Sequence, residues 1–206
     1  MMTFDRRLFL ALSTLLFCVS FVLVAAEVGS VHIDWDPFVP VSWDLFQGTP
    51  PVDATRRTEA AAIHMTISWR ASYSVSSSNG GTSWLGQVAQ ISVTNTMEPA
   101  SSWVVPSKAD NAVLNHEQLH FDLNEVYRRK LECLLLGTSA CAGATQQAAV
   151  DQLYAALHQT ASAVLAKVSE MQALYDAQTS HSTNASEQAR WQGLISQWLL
   201  APTTAP

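Results

Sequence analysis

Two histidines and a glutamate lie at helical spacing in the stretch LNHEQLHFDLNEVYRRKL, which runs from Leu114 to Leu131. On an α-helix, which turns about 100° per residue, His120 lies about 40° from His116 around the axis and Glu117 about 100° from it. The two imidazoles therefore share one face, one turn apart, where they can bind a single metal ion. Glu117 lies beside them, within reach of a water molecule that the metal activates. This pattern predicts two zinc ligands and the general base of a hydrolytic reaction.

An ordinary amphipathic helix that carries these residues by chance is the alternative. The apolar side chains of the stretch, however, are spread around much of the helix: Leu114, Phe121, Leu123, Val126 and Leu131. Buried imidazole and carboxylate groups are costly unless they are paired or bind a metal. The apolar surroundings therefore favour a metal site over a solvated helix face.

Other polar residues have less direct roles. Asn124 lies on the same side of the helix as the histidines and could hydrogen-bond to a metal ligand. Asp122 faces away from them and is predicted to pair with a buried arginine or a backbone amide, while Tyr127 is predicted to belong to the core. Tyr175 and Tyr73 are both candidates for stabilising an oxyanion, and the sequence leaves that choice open.

The elements around this helix come in the order of strands first and helices second. Residues 61–75 and 84–97 alternate apolar and polar side chains and predict two strands, separated by the turn sequence SSSNGG. The histidine helix is predicted over residues 110–136, a long return helix over 145–177 and a short final helix over 187–201. This order predicts one α+β domain, in which antiparallel strands precede the HExxH helix and the return helix.

The first 26 residues resemble an export signal. Arg6 and Arg7 precede an apolar run from Leu8 to Val24, and the small residues before Glu27 suit cleavage at that point. The run approaches the length that spans a bilayer, so an uncleaved membrane tether is the alternative. A Sec or twin-arginine signal of this kind predicts a periplasmic or secreted protein.

Length and charge limit the number of domains and the class of partner. The 206 residues suit one domain, predicted over residues 27–200 with a disordered tail at 201–206. Without the signal, which contains Asp5, Arg6 and Arg7, the 11 basic and 17 acidic residues of the chain become 9 and 16. An acidic chain with no basic patch lacks the electrostatic footprint of a nucleic-acid-binding protein, so no nucleic-acid partner is expected.

Cys133 and Cys141 are the cysteines that remain once the signal, which contains Cys18, is removed. Two cysteines in an exported chain predict a disulfide, because oxidising compartments favour the pair. The disulfide would close the loop CLLLGTSAC and hold the end of the preceding helix.

Four segments resemble a bacterial family of predicted secreted zinc-dependent proteases, long filed as a domain of unknown function. They are LNHEQLHFDL, VSWDLFQGTPP, SWV and YDAQTSHSTNASEQARW, and they lie between Val41 and Trp191. The resemblance implies a zincin-like metallopeptidase that binds zinc and acts on a peptide or protein substrate. Leu119 and Ser182 stand where the family tends to have glycine. Leu119 leaves the ligand geometry unchanged, whereas Ser182 affects the shape of the turn after His181.

A catalytic zinc keeps three protein ligands, and the histidine helix supplies two of them. Outside the signal, the other histidines are His32, His64, His158 and His181. If the return helix runs back antiparallel, His158 comes roughly level with the site, and Asp176 lies beyond it. The resemblance of YDAQTSH to the family's other shared segment favours His181 as the third ligand, with Asp176 and His158 as alternatives.

An extended peptide commonly binds along an exposed strand edge, and residues 87–97 are predicted to provide it, because they belong to the last strand before the metal helix. Two other functions fit the same residues. One is a non-catalytic, metal-stabilised binding or interaction protein of the periplasm, and the other is a zinc amidase that acts on cell-wall peptides.

Overall fold

The computed structural model describes residues 31–206, and the predicted signal over residues 1–26 lies outside them. In the described part of the chain the strands are β1 (Ile33–Asp34), β2 (Ala61–Ala62), β3 (Met65–Ser78), β4 (Ser83–Met97), β5 (Trp103–Val104) and β6 (Cys141–Gly143). The α-helices are α1 (Asn111–Leu136), α2 (Gln146–Thr179) and α3 (Ala185–Leu200). Antiparallel strands precede long helices, which confirms the predicted α+β class. No helix within residues 31–206 combines the length and the apolar character needed to cross a bilayer.

A long hairpin forms the centre of the larger sheet. β3 pairs antiparallel with β4 along its whole length, with one irregularity after Ser72. The hairpin reverses at Gly80 and Gly81, whose φ angles of 68° and 88° are accessible to glycine without strain. The predicted strand over residues 61–75 is divided in the structure. Its first two residues form β2, which pairs with β5 in a separate small sheet.

Side-chain caps begin all three helices and explain why their starts were predictable. Asp110 accepts a hydrogen bond from the backbone of α1, Thr145 does so for α2, and Asn184 for α3. Such caps satisfy backbone N–H groups that have no partner within the helix. The observed bounds lie within two residues of the predicted ones.

The main core lies between the hairpin and the helices. The inner face of β3 contributes Ile67, Trp69 and Ala71, and β4 contributes Val93. The fully or almost fully buried members from the helices include Leu123, Val126, Tyr127 and Leu131 of α1, Leu153, Leu157, Val164 and Met171 of α2, and Trp191 and Ile195 of α3. Burial of each large apolar side chain contributes about 1.5–3 kcal/mol, so this cluster holds α1 and α2 in a defined register.

Close packing between β6 and α2 leaves no room for a side chain at Gly143. A Cβ atom there would lie 2.4 Å from the backbone nitrogen of Ala149. We therefore expect Gly143→Ala to lower the free energy of unfolding by about 1–3 kcal/mol, the usual cost of overpacking. Gly193 is the matched control, because a Cβ there meets no atom within 4 Å. Gly193→Ala should raise the free energy of unfolding by about 0.5–1 kcal/mol. Urea unfolding would check both, and equal stabilities would contradict the packing argument.

The predicted disulfide is not formed, and both Cys133 and Cys141 are free thiols. The two side chains have different surroundings. Cys133 is exposed on the surface of α1, whereas Cys141 begins β6 and packs against the main core. Strand pairing of β6 with β4 draws the second cysteine toward the sheet and separates it from the first.

Residues 201–206, predicted as a disordered tail, are ordered in the structure. Residues 202–204 form a short 3-10 helix, and Ala205 is 4% exposed. The hydroxyl of Tyr127 and the ammonium of Lys130 both donate hydrogen bonds to the carbonyl oxygen of Pro206. Polar groups of α1 therefore hold a segment whose composition alone indicated disorder.

Candidate metal centre

His116 and His120 lie one turn apart on the buried face of α1. They are 3% and 8% exposed, and their Nε2 atoms are 3.1 Å apart. The rings cross at 86° with their centroids 4.6 Å apart, so the two Nε2 atoms converge on one point. The arrangement is the one that the spacing of the two residues predicts for an α-helix.

Asp176, near the end of α2, brings a carboxylate oxygen to the same point. Its Oδ1 lies 3.1 Å from Nε2 of His116 and 3.0 Å from Nε2 of His120. The expectation that residue 176 lies beyond the site was wrong, because α2 begins farther from α1 than a direct return would place it. β6 pairs with residues 84–86 at the turn end of the hairpin, so α2 starts there and reaches the histidines only near its own end.

Two glutamine side chains determine which ring nitrogens are protonated. Gln172 donates its Nε2 hydrogen to the carbonyl of His120, so its Oε1 is the atom that faces Nδ1 of that histidine, at 2.6 Å. Oε1 of Gln188 accepts the hydroxyl hydrogen of Tyr175 and lies 3.2 Å from Nδ1 of His116. Because an amide oxygen can only accept, each Nδ1 carries the proton and each Nε2 presents a lone pair.

The donor set fits a divalent metal ion. Two imidazole lone pairs and a carboxylate oxygen lie 3.0–3.1 Å from one another, a distance at which they repel unless a cation lies between them. Zinc binds nitrogen and oxygen ligands at about 2.0–2.2 Å in a tetrahedron, which separates neighbouring ligand atoms by roughly 3.3 Å. Nitrogen and oxygen ligands without sulfur are among those that zinc accepts.

His181 supplies a further donor atom at the same centre. Its Nδ1 lies 3.3 Å from Oδ1 of Asp176, and its side chain is 35% exposed. The ligand atoms of His116, Asp176 and His181 all lie within 4.8 Å of one another and form a group that could hold a metal ion. The favoured third ligand and its first alternative are thus both present. His158 is not, because its ring packs against Trp69 with the centroids 5.1 Å apart.

Asp176 supplies negative charge at the centre. Burial raises the pKa of Asp176, but the close contacts of its carboxylate with the imidazoles of His116 and His120 outweigh burial and hold the pKa well below its ordinary value. Burial lowers the pKa of His120, but the carboxylates of Asp176 and Glu117 outweigh that effect and raise it. Both results express the same attraction between the carboxylates and a positive charge at the position where the Nε2 atoms meet.

Glu117 lies beside this centre on α1 and is 2% exposed. Its Oε2 accepts the backbone N–H of Ile63 at 2.8 Å. Burial raises the pKa of the carboxyl, and the neighbouring histidines oppose this only in part. A carboxylate with a raised pKa is a stronger base, which suits the role that the sequence predicts for it.

A cleft of about 250 Å³ opens over the centre. The two α1 histidines, Glu117 and Asp176 line it, and residues 59–63 form its wall. Within that wall, Ala60 accepts a hydrogen bond from the backbone of β5. Successive residues of a strand direct their backbone groups to opposite sides, so the N–H and C=O of Ala61 face the cleft. The N–H of Ile63 faces the same way, toward Glu117.

The segment predicted as the substrate-binding edge, residues 87–97, does not line the cleft. β4 pairs with β3 along one side, β1 and β6 pair only with its two ends on the other side, at residues 96–97 and 84–86, and none of its residues lines the cleft. The two segments that pair with the ends of β4, residues 33–34 and 141–143, are too short to show a strand pattern in the sequence. The open strand near the metal centre is β2.

The other polar residues singled out in the sequence lie outside the cleft. Asn124 donates to Oδ1 of Asn95 and does not contact a metal-centre histidine. Asp122 accepts hydrogen bonds from the indole of Trp35 and the amide of Gln118, so it is a structural partner, although not for an arginine. Tyr127 is fully buried in the core, as predicted.

Neither tyrosine considered for oxyanion stabilisation has its hydroxyl in the cleft. Tyr175 is fully buried and stacks on the ring of His116 with the centroids 4.6 Å apart. Burial raises the pKa of Tyr175, and its hydroxyl donates to Gln188. Tyr73 lies on β3, 42% exposed, and does not line the cleft. Tyr175 therefore orients the amide that holds His116.

Sequence reasoning missed Gln172 and Gln188. Gln172 lies four residues before Asp176, so the two share one face of α2. Two polar residues at that spacing, next to the apolar stripe of a long helix, could have identified Gln172 and Asp176 together. Gln188 lies near the start of α3 and carried no comparable pattern.

Residues 43–182 match the model of a family described as "Bacterial protein of unknown function (DUF922)". No curated protein and no solved structure shows significant similarity to the chain. The matched range covers more than half of the chain and contains the metal centre from His116 to His181. The chain therefore belongs to this bacterial family of unknown function.

Proposed function

We infer that this protein is an exported zinc-dependent hydrolase that cleaves peptide bonds. One observation carries the inference: Nε2 of His116, Nε2 of His120 and Oδ1 of Asp176 converge at 3.0–3.1 Å beside a buried carboxylate, at the floor of a cleft. A purely structural metal site needs no base next to it and no access from solvent. Glu117 and the cleft therefore favour catalysis over a stabilising role for the metal.

The residues of the chain divide the chemistry between them. Zinc held by His116, His120 and Asp176 would act as a Lewis acid toward water and the substrate carbonyl. Glu117 takes a proton from the attacking water and returns it to the leaving amine. The N–H of Ile63 holds Oε2 of Glu117 at 2.8 Å, which leaves Oε1 for the water. This hydrogen bond orients the base before the substrate arrives.

The wall of the cleft supports a peptide as the substrate. The side of β2 that does not pair with β5 lines the cleft, where an extended main chain could pair with it as another strand would. Residues 60–62 are alanines. Ala60 and Ala61 are buried and Ala62 is partly exposed, so a substrate would have to reach this wall from inside the cleft. Met65 and Val113 provide apolar surface for a substrate side chain. Recognition through the main chain tolerates many sequences, which suits a peptidase that acts on unfolded protein.

The expected site of action is the periplasm or the medium, because an export signal is predicted for residues 1–26. If the signal is not removed, it would tether the protein to the membrane. Neither form changes the cleft, which is built from residues 59 onward.

Metal loading tests the proposal directly. The chain from Glu27 onward, stripped with a chelator and supplied with Zn²⁺, should bind about one zinc ion and cleave unfolded casein only in the loaded form. Elemental analysis and gel electrophoresis measure the two properties. A chain that binds no zinc would overturn the hydrolase and leave an interaction domain. Zinc without cleavage of casein or of peptidoglycan fragments would indicate a metal-stabilised binding protein, and cleavage of the fragments alone would indicate a cell-wall amidase.

A further inference from the structure

The metal centre holds one more donor atom than a catalytic site needs. A catalytic zinc keeps three protein ligands and an open position, whereas a structural zinc has four. His116, His120 and Asp176 provide three donor atoms, and Nδ1 of His181 lies 3.3 Å from Oδ1 of Asp176, a separation typical of two ligands of one ion. The ligand atoms of His116, Asp176 and His181 lie within 4.8 Å of one another, so His181 is close enough to reach the position that a catalytic zinc keeps open.

The turn that carries His181 is strained. After α2 ends at Thr179, three consecutive residues other than glycine adopt left-handed backbone conformations, with φ of 48° at Ser180, 49° at His181 and 77° at Ser182. Such conformations are unfavourable for residues with a side chain, and runs of them are rare. They persist where the surroundings impose them, and they are concentrated at functional sites and switches. Here the strained conformation holds an imidazole at the metal centre.

The strain is confined to this turn because both of its ends are anchored. On one side, the hydroxyl of Thr179 donates to the carbonyl of Tyr175 at 2.7 Å. On the other, the backbone N–H of Asn184 donates to the carbonyl of Thr179 at 2.8 Å, and the Asn184 side chain caps α3. The half-exposed ring of His181 can therefore leave the centre through a change in residues 180–183 alone, without movement of α2 or α3.

We propose that His181 is a displaceable ligand of the metal centre. It occupies the fourth position while the cleft is empty and leaves that position when a substrate enters, and the strained turn lowers the free energy needed for its release. The inference rests on the proposed function, because it assumes that His116, His120 and Asp176 hold a metal ion. It assigns to His181 the control of access to that ion.

Counting the histidine nitrogens bound to the metal tests this role without measuring activity. The protein is loaded with a magnetic isotope of cadmium, its histidine nitrogens are isotopically labelled, and nuclear magnetic resonance counts the nitrogens coupled to the metal. Three are expected in the resting protein and two after saturation with acetyl-Ala-Ala hydroxamate. His181→Ala should show two in both states, and the matched control His158→Ala should behave as the unmodified chain does.

Two results would overturn the proposal. Two coupled nitrogens in the resting protein would show that His181 is not a ligand, and three in the presence of the hydroxamate would show that it is not released. Failure of the proposed function differs from both: a chain without a metal centre would bind no cadmium, and a metal-binding chain that is not a hydrolase would fail the casein assay whatever the nitrogen count.

A second variant tests the contribution of strain. Ser182→Gly removes the unfavourable left-handed conformation from a serine with φ of 77° without touching the imidazole. The form in which His181 binds the metal becomes relatively more stable, so acetyl-Ala-Ala hydroxamate should bind roughly fivefold more weakly. This factor corresponds to about 1 kcal/mol, the lower end of the cost of one left-handed residue with a side chain. Titration calorimetry measures the change. An unchanged affinity would contradict release through this turn.

Discussion

Replacing Glu117 with glutamine should lower kcat/KM for peptide hydrolysis by about 100- to 10,000-fold, the range that general-base catalysis contributes, and leave the zinc content unchanged. Glutamine has the shape of the glutamate it replaces, and its amide oxygen can still accept the N–H of Ile63. The fold and the metal centre should therefore persist. The amide cannot take a proton from water, so the chemical step loses its base.

Glu170→Gln is the matched control for this prediction. It makes the same change from carboxylate to amide on the surface of α2, where Glu170 forms an exposed ion pair with Lys167. The control should keep both zinc and activity. If the Glu117 variant were as active as the unmodified chain, the residue would not be the base. If the variant lost its zinc, Glu117 would instead take part in metal binding.

Replacing Asp176 with asparagine should weaken zinc binding by more than about 100-fold. The loss of a residue that only hydrogen-bonds to a metal ligand usually costs about 10- to 100-fold. The side chain supplies the negative charge at the centre, and its Oδ1 is 3.0–3.1 Å from both Nε2 atoms. A neutral amide oxygen is a weaker ligand and offsets none of the positive charge of the metal. Competition with a chromophoric chelator measures the affinity.

Asp151→Asn provides the control on the same helix. Asp151 is exposed and accepts a hydrogen bond from Gln147, so its loss should leave zinc affinity unchanged. Unaltered affinity in the Asp176 variant, combined with loss of zinc in His181→Ala, would show that His181 is the third permanent ligand. If His181 is a displaceable ligand, the Asp176 variant should lose more zinc affinity than His181→Ala does.

The part of the site that lies on one helix was predictable from sequence because helical geometry is local. The N-cap at Asp110 begins α1, and the step of four residues places His116 and His120 on one face whatever surrounds them. Glu117 follows by the same rule. These relations need no knowledge of the tertiary structure.

The positions of Asp176 and Gln172 were not predictable in this way, because they depend on how far α2 is displaced along α1. That displacement is determined by β6, a strand of three residues whose pairing with β4 has no signal in local periodicity. The mistaken substrate edge has the same origin, since strand pairs that no local pattern shows place β2 and not β4 along the cleft. Pairing between segments distant in sequence is the information that a local pattern lacks.

The amide of Gln188 holds His116 from the last helix, and this gives the protein an order of maturation. His116 and His120 leave the ribosome early, Asp176 follows some sixty positions later, and the amide that orients the first imidazole comes later still. A chain that crosses a membrane unfolded therefore carries no assembled centre during transit. If the proposed function holds, hydrolytic capacity would appear only after α3 has docked, so an exported chain would not act on the proteins of the cell that makes it before it has folded.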